Sequence, residues 1–452
     1  NGSGKIKIIS AASDKLYKDF APYSDHPELP VFDGELTMDV HGTGCYTSQA
    51  AMKLYNRQNE LLGDAAERAA VAAEMLAGVN YPGDALTDSW RRFIFHQFHD
   101  DLTGTSIPRA YEFSWNDELI SLKQFSDVLR ASTCAVAEKM DTRVSGIPVV
   151  LFNALGDYVS DIVELALPAD RCPAKVTVID ATGQNRDAQV TGYENGTVYI
   201  VAEANAPANG GMIADVRLSG KGSLPEPQTA NTVENSKYRI TVDSNGDIVS
   251  LIDKDYDREL VKAGKAIRLA LFEDNKSYSW PAWEILKGTL EQTPVSITGN
   301  VTVTLVEKGP LRHTLCIEKD YNDSKFRQYI RLYEGASSAR IDFYNEVDWA
   351  TGNALLKAEF PLAIENTAAT YDLGLGTIKR NNNTPTAYEV YAQRWADLTD
   401  RDGEYGVTIM NDCKYGWDKP DDNTLRLTLL HTPATENNFT YQSRQDFGHH
   451  TF

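Results

Sequence analysis

The pattern of apolar residues changes once, near residues 145–148, and this change divides the chain into a helical part and a β part. From Tyr46 to about Met140, apolar side chains recur at helical spacing. After Ser145-Gly146-Ile147-Pro148, short β-branched and aromatic runs alternate with turn residues. Helices followed by strands, rather than helices between strands, predict a multidomain α+β protein. We expect an antiparallel helical bundle followed by antiparallel β-sandwich domains.

Four helices are predicted in the first part. Thr47 or Ser48 can cap a helix through residue 62, and Gly63-Asp64 can start a second helix that ends near Gly78. A third helix is predicted after residues 82–84, and a long fourth one over residues 116–140. Short loops between these helices indicate an antiparallel bundle.

The segment ahead of the bundle predicts a strand over 5–9, a helix from Ser13-Asp14 to about Phe20, and a second strand over 34–41. A strand and a helix cannot close a sheet alone, so this segment is expected to be the tail of an α/β domain. In the β part, Gly- and Pro-rich residues 219–227 indicate a linker. Strands are predicted at 149–153, 176–180, 198–201, 238–242, 248–252, 301–305, 340–343 and 425–430. The predicted domains are 1–36, a bundle at 37–144, a small β-sandwich at 145–228 and a large one at 229–452, expected to be truncated at its C-terminal end.

The composition excludes several classes of partner. Lys and Arg number 44 and Asp and Glu 64, for a net charge of −20, which argues against nucleic acid and against an anionic membrane. No run of 18 apolar residues occurs. The five scattered cysteines indicate mostly buried free thiols rather than a disulfide framework. A soluble bacterial enzyme, periplasmic or cytoplasmic, is expected, but its compartment and oligomeric state are not readable.

The stretch Phe95-His96-Gln97-Phe98-His99-Asp100-Asp101-Leu102-Thr103-Gly104-Thr105 is the main candidate for a functional site. If the third helix continues into it, His96, His99 and Asp100 share one face. Imidazoles beside a carboxylate can bind a metal ion or sugar hydroxyls. The alternative is a pair of histidines that stabilise a helix C-terminus through its dipole.

Three further segments carry weaker signals. The loop 39–48 places Asp39, His41 and Tyr46 where they could contact a ligand, although a helix-entry loop is the commoner explanation. Aromatic side chains at 280–283 and 394–397 could stack on sugars, but burial in a sandwich is favoured for them. The adjacent histidines at 449–450 point apart on a strand and are a weak metal signal.

Taken together, these residues resemble the α-mannosidases of glycoside hydrolase family 38. The motif at 97–106 is similar to the family's Gln-Phe-His-Asp-x-Leu-x-Gly-Thr-Ser, and the resemblance extends in the family's order over nearly the whole chain. The other matching segments are 34–36, 46–50, Lys53, 56–57, Glu60, 147–153, 234–239, 248–254, 347–349, 355–357 and 411–416.

The resemblance implies a zinc-dependent retaining exo-α-mannosidase with an N-terminal α/β catalytic domain, a three-helix bundle and C-terminal β-sandwiches. In that family, the histidine matching His99 is a zinc ligand and the aspartate matching Asp100 contacts a substrate hydroxyl. His41 is a further candidate contact. The family's His-x-Asp pair, nucleophile and acid/base aspartate are expected before Asn1.

The chain alone is therefore expected to be inactive, because a retaining glycosidase needs both carboxylates. Its expected partners are mannose-containing glycans and its own N-terminal catalytic domain. Two other hypotheses stay open: a non-catalytic carbohydrate-binding or scaffold protein, and an unrelated metallohydrolase that uses His96 and His99.

Overall fold

The chain forms two compact units, Asn1–Thr37 and Met38–Phe452. A computed structural model describes residues 9–275, 277, 280–433 and 446–452. In the first unit, helix α1 (Lys15–Phe20) passes into a 3-10 turn at Ala21–Tyr23, and its residues are exposed. This confirms the helix predicted to end near Phe20. The strand predicted over 5–9 falls, apart from Ile9, outside the described residues.

Three helices form the bundle in the second unit: α2 (Ala50–Ala77), α3 (Gly83–Phe95) and α4 (Pro108–Ala137). The predicted break at Gly63 is wrong, since α2 is continuous through it. A Cβ at Gly63 would lie 2.8 Å from the Trp90 ring and 3.2 Å from the Phe125 ring. The glycine therefore permits close packing of the helices rather than ending one.

Small side chains on α2 allow its neighbours to approach closely. Ala66, Ala69, Ala70 and Ala73 recur at three- and four-residue spacing and are buried. Ala66 and Ala70 face a core that includes Phe125 from α4. Helix α4 begins eight residues earlier than predicted, because the proline at position 108 suits the first turn of a helix.

The strand predicted over 34–41 is wrong. Among the described residues, only His41 of this segment pairs with another strand-like residue, through an isolated antiparallel bridge to Glu284. Alternating apolar and polar residues produce a strand only where a partner backbone lies alongside. This segment lacks such a partner until its last residue.

A small antiparallel β-sandwich follows the bundle. Its two sheets have the orders β1-β7-β3-β4 and β2-β6-β5. Alternate residues of β6, such as Val198 and Ile200, face Ala214 and Val216 of β7 in a common core. The strands are β1 Ile147–Asn153, β2 Val159–Pro168, β3 Lys175–Ile179, β4 Asn185–Arg186, β5 Ala188–Glu194, β6 Thr197–Ala206 and β7 Gly210–Ser219.

Four further antiparallel sheets follow, with the orders β8-β15-β16-β17-β18-β27, β9-β10-β11-β12, β14-β13-β19-β26-β25-β22 and β21-β20-β23-β24. Their inward residues form two large apolar cores, and the larger one contains the buried indoles of Trp349 and Trp417. A one-turn helix, α5, lies at Lys287–Leu290. The strands are β8 Gln228–Thr229, β9 Thr232–Glu234, β10 Tyr238–Val242, β11 Ile248–Asp253, β12 Arg258–Glu259, β13 Arg268–Glu273, β14 Val295–Ser296, β15 Gly299–Lys308, β16 Arg312–Tyr321, β17 Ser324–Tyr333, β18 Ile341–Trp349, β19 Ala354–Pro361, β20 Ala368–Asp372, β21 Thr377–Asn381, β22 Val390–Tyr391, β23 Trp395–Thr399, β24 Gly406–Met410, β25 Gly416–Asp421, β26 Thr424–Thr432 and β27 Gly448–Thr451.

The architecture is thus a helical bundle followed by antiparallel β-sandwiches, which confirms the predicted fold class and each predicted strand after residue 148. All five cysteines are free, and three of them are buried. Within the described residues, no helix has the length and apolar character needed to cross a membrane.

Candidate functional site

Helix α3 ends at Phe95, just before the histidine motif, and this separates the two histidines. His96 is the C-cap residue and is only 4% exposed, whereas the side chain of His99 is 75% exposed. Successive turns occupy residues 96–103 in place of another helical turn. The prediction that His96, His99 and Asp100 share a helix face is therefore wrong, because the helix does not extend that far.

His96 belongs to a buried network inside the bundle. Its Nδ1 lies 2.6 Å from Asp101 Oδ2 and its Nε2 lies 3.3 Å from Asp117 Oδ2, while the Ser114 hydroxyl donates to Asp101 Oδ1 at 2.8 Å. Burial alone would lower the pKa of His96, but the hydrogen bonds to Asp101 and Asp117 outweigh it and raise that pKa. With both ring nitrogens engaged, His96 anchors the loop rather than offering a lone pair to a metal ion.

His99 and Asp100 project from the same loop, while their backbone is fixed from below. His99 Nε2 lies 3.3 Å from Asp100 Oδ2. Thr103 Oγ1 donates to the His99 carbonyl at 2.6 Å, and the Asp100 carbonyl accepts from Ser106 Oγ at 2.5 Å and from Tyr111 Oη at 3.4 Å. The structure thus presents an imidazole beside a carboxylate on an exposed, well-anchored turn.

A buried lysine joins this motif loop (residues 96–105) to the loop that enters α2. Lys53 Nζ donates to the Leu102 carbonyl at 2.8 Å and also to the Ser48 carbonyl. Gly104 has a φ of +82°, and a Cβ there would lie 2.3 Å from the Ser48 carbonyl oxygen. Burial lowers the pKa of Lys53 to about 8. The two loops therefore pack backbone to backbone, at a distance that only glycine allows.

His41 lies in a corner built from the entry loop and from the segment before α5. Its ring is stacked on the Trp283 ring, with centroids 5.4 Å apart and planes 6° apart, and Nδ1 lies 3.0 Å from Glu284 Oε1. The Trp280 ring is edge-on to His41 at 6.1 Å. We call His41, Trp280, Trp283 and Glu284 the aromatic corner.

The aromatic corner corrects one prediction from the sequence. The sequence favours burial inside a sandwich for Trp280 and Trp283, but Trp280 is 45% exposed and Trp283 is half-buried. The side chain of His41 is 56% exposed. Neighbouring aromatic residues in sequence cannot by themselves indicate whether a strand or an exposed turn carries them.

Ser48 lies between the aromatic corner and the motif loop. Its hydroxyl donates to the Ala282 carbonyl at 2.7 Å and lies 3.0 Å from His431 Nδ1. On its other side, its carbonyl contacts Lys53 and approaches Gly104. One residue thus holds together the two loops that carry His41 and His99.

The expected cap of α2 by Thr47 or Ser48 is wrong. Thr47 Oγ1 lies 3.0 Å from His431 Nδ1, and the first α2 amide, that of Ala50, donates instead to Asp446 Oδ1 at 2.7 Å. His431 is buried and also contacts Asn275 at 3.1 Å. Burial lowers the pKa of His431 to about 3, so the imidazole is neutral. Sequence reasoning missed His431 and Asp446 because their partners are hundreds of residues away.

The remaining histidine pair behaves as its position on a strand predicts. His449 Nδ1 lies 2.8 Å from Asp348 Oδ1 at the surface, whereas His450 Nε2 lies 2.6 Å from the Asp446 carbonyl oxygen. In the described part of the chain, no three His, Cys, Asp or Glu side chains are arranged to hold a metal ion.

Two family descriptions match the chain. Residues 41–134 match the alpha mannosidase middle domain, and residues 233–439 match the glycosyl hydrolases family 38 C-terminal domain. The first match contains His41 and the motif loop, and the second contains the rest of the aromatic corner.

Named relatives match along the whole chain. Alpha-mannosidase G of Dictyostelium discoideum is 28% identical over 502 residues, and alpha-mannosidase 2C1 of Mus musculus is 27% identical over 460 residues. Both matches cover 100% of this chain but only 43% and 41% of the relatives. The chain thus spans less than half the length of these relatives.

Solved structures share the fold. A protein in the glycosyl hydrolase family 38 from Enterococcus faecalis superposes with a TM-score of 0.73 at 19% identity, over 98% of this chain and 59% of that one. An alpha-mannosidase from Enterococcus faecalis V583 gives 0.74 at 18% identity, over 97% and 58%. At these identities the similarity concerns the fold alone.

Proposed function

The chain belongs to glycoside hydrolase family 38, of which it carries the middle and C-terminal domains, and we propose that it is part of a longer zinc-dependent α-mannosidase. The longer protein would be a retaining enzyme that removes terminal α-mannosyl units from glycans. The observation that carries this proposal is the exposed pair of His99 and Asp100 on an anchored turn. Both residues lie within the segment that matches the α-mannosidase middle domain.

The chemistry of His99 suits one ligand of a zinc site. Zinc prefers neutral imidazole, and a ligating histidine commonly has a carboxylate nearby that orients its ring. Asp100 provides such a carboxylate at 3.3 Å. When bound, zinc would act as a Lewis acid that orients sugar hydroxyls.

The other residues of this chain would position the sugar. Asp100 would accept a hydrogen bond from a hydroxyl of the terminal mannose, and His41 would contact the substrate from the neighbouring loop. The Lys53 and Gly104 contacts support this assignment, because they fix the loop that carries His99 against Ser48. Catalytic sites require such fixed geometry, since small displacements of a reacting group cost large factors in rate.

The nucleophile and the acid/base, which a retaining glycosidase needs as a pair of carboxylates, would come from an N-terminal catalytic domain outside this chain. The 452-residue chain alone should therefore not hydrolyse an aryl α-mannoside, even with added zinc. Turnover that disappears on His99→Ala would contradict this, because it would mean that the chain contains a complete catalytic site.

Zinc binding gives a test that does not depend on activity. A single imidazole should bind zinc weakly in this chain, and His99→Ala should weaken the binding further in a calorimetric titration. His449→Ala is the matched control, because His449 is also an exposed histidine beside a carboxylate. Equal losses in the two variants, or none, would argue against His99 as a zinc ligand.

The same titration separates the other hypotheses. A metallohydrolase that uses His96 and His99 predicts tight zinc binding by this chain alone, whereas His96 is already bonded to Asp101 and Asp117. A non-catalytic carbohydrate-binding or scaffold protein predicts zinc binding that His99→Ala leaves unchanged, together with mannose affinity that persists after chelation and after His99→Ala.

A further inference from the structure

We propose that the aromatic corner of His41, Trp280, Trp283 and Glu284 binds a second hexose unit of the glycan, next to the sugar held at the motif loop. The choice of a hexose as the ligand rests on the proposed function. The site itself is argued from its exposure, its hydrogen-bonding groups and its rigid attachment to Ser48.

Trp280 provides an accessible aromatic surface. The residue is 45% exposed, and its ring meets the rings of His41 and Trp283 at interplanar angles of 76° and 70°. An edge-on neighbour leaves much of a ring face uncovered. Exposed aromatic faces of this kind favour ligands that have an apolar side and a polar rim, which describes a pyranose with its axial C–H groups and its hydroxyls.

Polar groups border this surface. Glu284 accepts from His41 Nδ1 at 3.0 Å and from Ser277 Oγ at 2.5 Å. A carboxylate has about four lone-pair positions, so Glu284 keeps acceptor capacity for a sugar hydroxyl. His41 Nδ1 faces this carboxylate, so the proton of the imidazole ring is on Nδ1. The other ring nitrogen, Nε2, lies on the far side of the ring.

The corner is rigid before any ligand binds. His41 and Glu284 form a backbone bridge, and the amides of Gly42 and Gly44 both donate to the Trp283 carbonyl at 2.9 Å. A preformed surface avoids the entropic cost of ordering side chains on binding. This combination distinguishes the corner from exposed aromatic residues elsewhere, such as Phe113 on α4.

Ser48 places the corner beside the motif loop. Its hydroxyl is bonded to the Ala282 carbonyl within the Trp280–Trp283 turn, and its carbonyl approaches Gly104 in the motif loop. Two sugars of one glycan could therefore contact the two loops together. The corner would then favour substrates with a sugar, rather than a small alkyl group, attached to the terminal mannose.

The test is a ligand-observed NMR titration of the 452-residue chain with α-linked mannobiose, in the presence of a chelator. Trp280→Ala should weaken mannobiose binding by about threefold to tenfold, the range expected for one aromatic contact. Trp280→Phe should retain part of the affinity. Phe113→Ala should leave the affinity unchanged, and circular dichroism would confirm that each variant is folded.

The outcomes separate this inference from the proposed function. Mannobiose binding that Trp280→Ala weakens and Phe113→Ala leaves intact supports a sugar site at the aromatic corner, independently of zinc binding. No saturable binding, or equal binding in Trp280→Ala and the unaltered chain, overturns it. Failure of zinc binding at His99 would overturn the proposed function alone, because the chelated titration does not involve zinc.

Discussion

Replacing Gly104 with alanine should destabilise the motif loop in two ways, through its backbone conformation and through a steric clash with Ser48. Gly104 has a φ of +82°, and an added Cβ would lie 2.3 Å from the Ser48 carbonyl oxygen and 2.5 Å from its carbon. The left-handed conformation costs about 1–2 kcal/mol for an alanine. Forcing an extra methyl into a packed contact adds about 1–3 kcal/mol. We therefore expect a total loss of about 2–5 kcal/mol in the free energy of unfolding.

Gly78→Ala is a matched control for this substitution. Gly78, at the C-terminus of α2, has a similar φ of +72°, but nothing lies within 4 Å of the position of its Cβ. The Gly78→Ala variant should therefore lose only the conformational part of the free energy of unfolding, about 1–2 kcal/mol. The difference between the two variants therefore isolates the contact between Gly104 and Ser48.

Urea denaturation measures the loss in the free energy of unfolding for both variants. Hydrogen exchange of peptides from residues 96–105 shows whether the loss in Gly104→Ala arises in the motif loop. Gly104→Ala should increase exchange in this loop, whereas Gly78→Ala should not. If the two variants lost equal stability within about 0.5 kcal/mol, or if exchange in the loop did not change, the close approach of the two loops would be refuted.

Three further predictions concern buried charged or titratable groups. Lys357→Met should lower the free energy of unfolding, measured with denaturant, by about 3–5 kcal/mol, because it leaves two buried carboxylates without their shared ammonium. Arg401→Met, at an exposed ion pair, should lower it by less than about 1 kcal/mol. Burial raises the pKa of Glu118 to about 7, so the folded state holds a proton that the unfolded state releases above about 4.5. The contribution of Glu118 to stability should then fall as pH rises from 4.5 to 7, by up to roughly 3 kcal/mol, and Glu118→Gln should remove this contribution. Burial lowers the pKa of His431 to about 3, so its contribution is present above about pH 6.5 and is lost as pH falls toward 3; melting temperatures across this range should show the loss, and His431→Gln should reduce it. The two effects have opposite signs between about pH 4.5 and 6.5, so each is measured as the difference in stability between the unaltered chain and its own variant. A difference that does not change with pH in the stated window would contradict the corresponding assignment.

Much of the fold could be predicted because local patterns carry it. The transition near residue 147 and the strands of the sandwiches follow from apolar periodicity and turn residues. The motif that contains His99 and Asp100 was identified in the same way, since those residue types are adjacent in the chain. These features depend on interactions within a few residues, which a sequence displays directly.

Contacts between distant residues decided the rest. In the sequence Gly63 indicates a helix break, but in the structure Trp90 and Phe125 pack against it within a continuous helix. Asp446 caps α2 from a position 396 residues away, and no local signal indicates such a partner.

The same holds for the candidate site. The sequence alone determined that a histidine and a carboxylate stand together before a glycine in a bundle of this family. Only the tertiary structure decided that His96 turns inward to Asp101 while His99 faces solvent, and that Ser48 joins the motif loop to the aromatic corner. The physical reason is that side-chain direction at the end of a helix is set by what packs there, and those partners come from other parts of the chain.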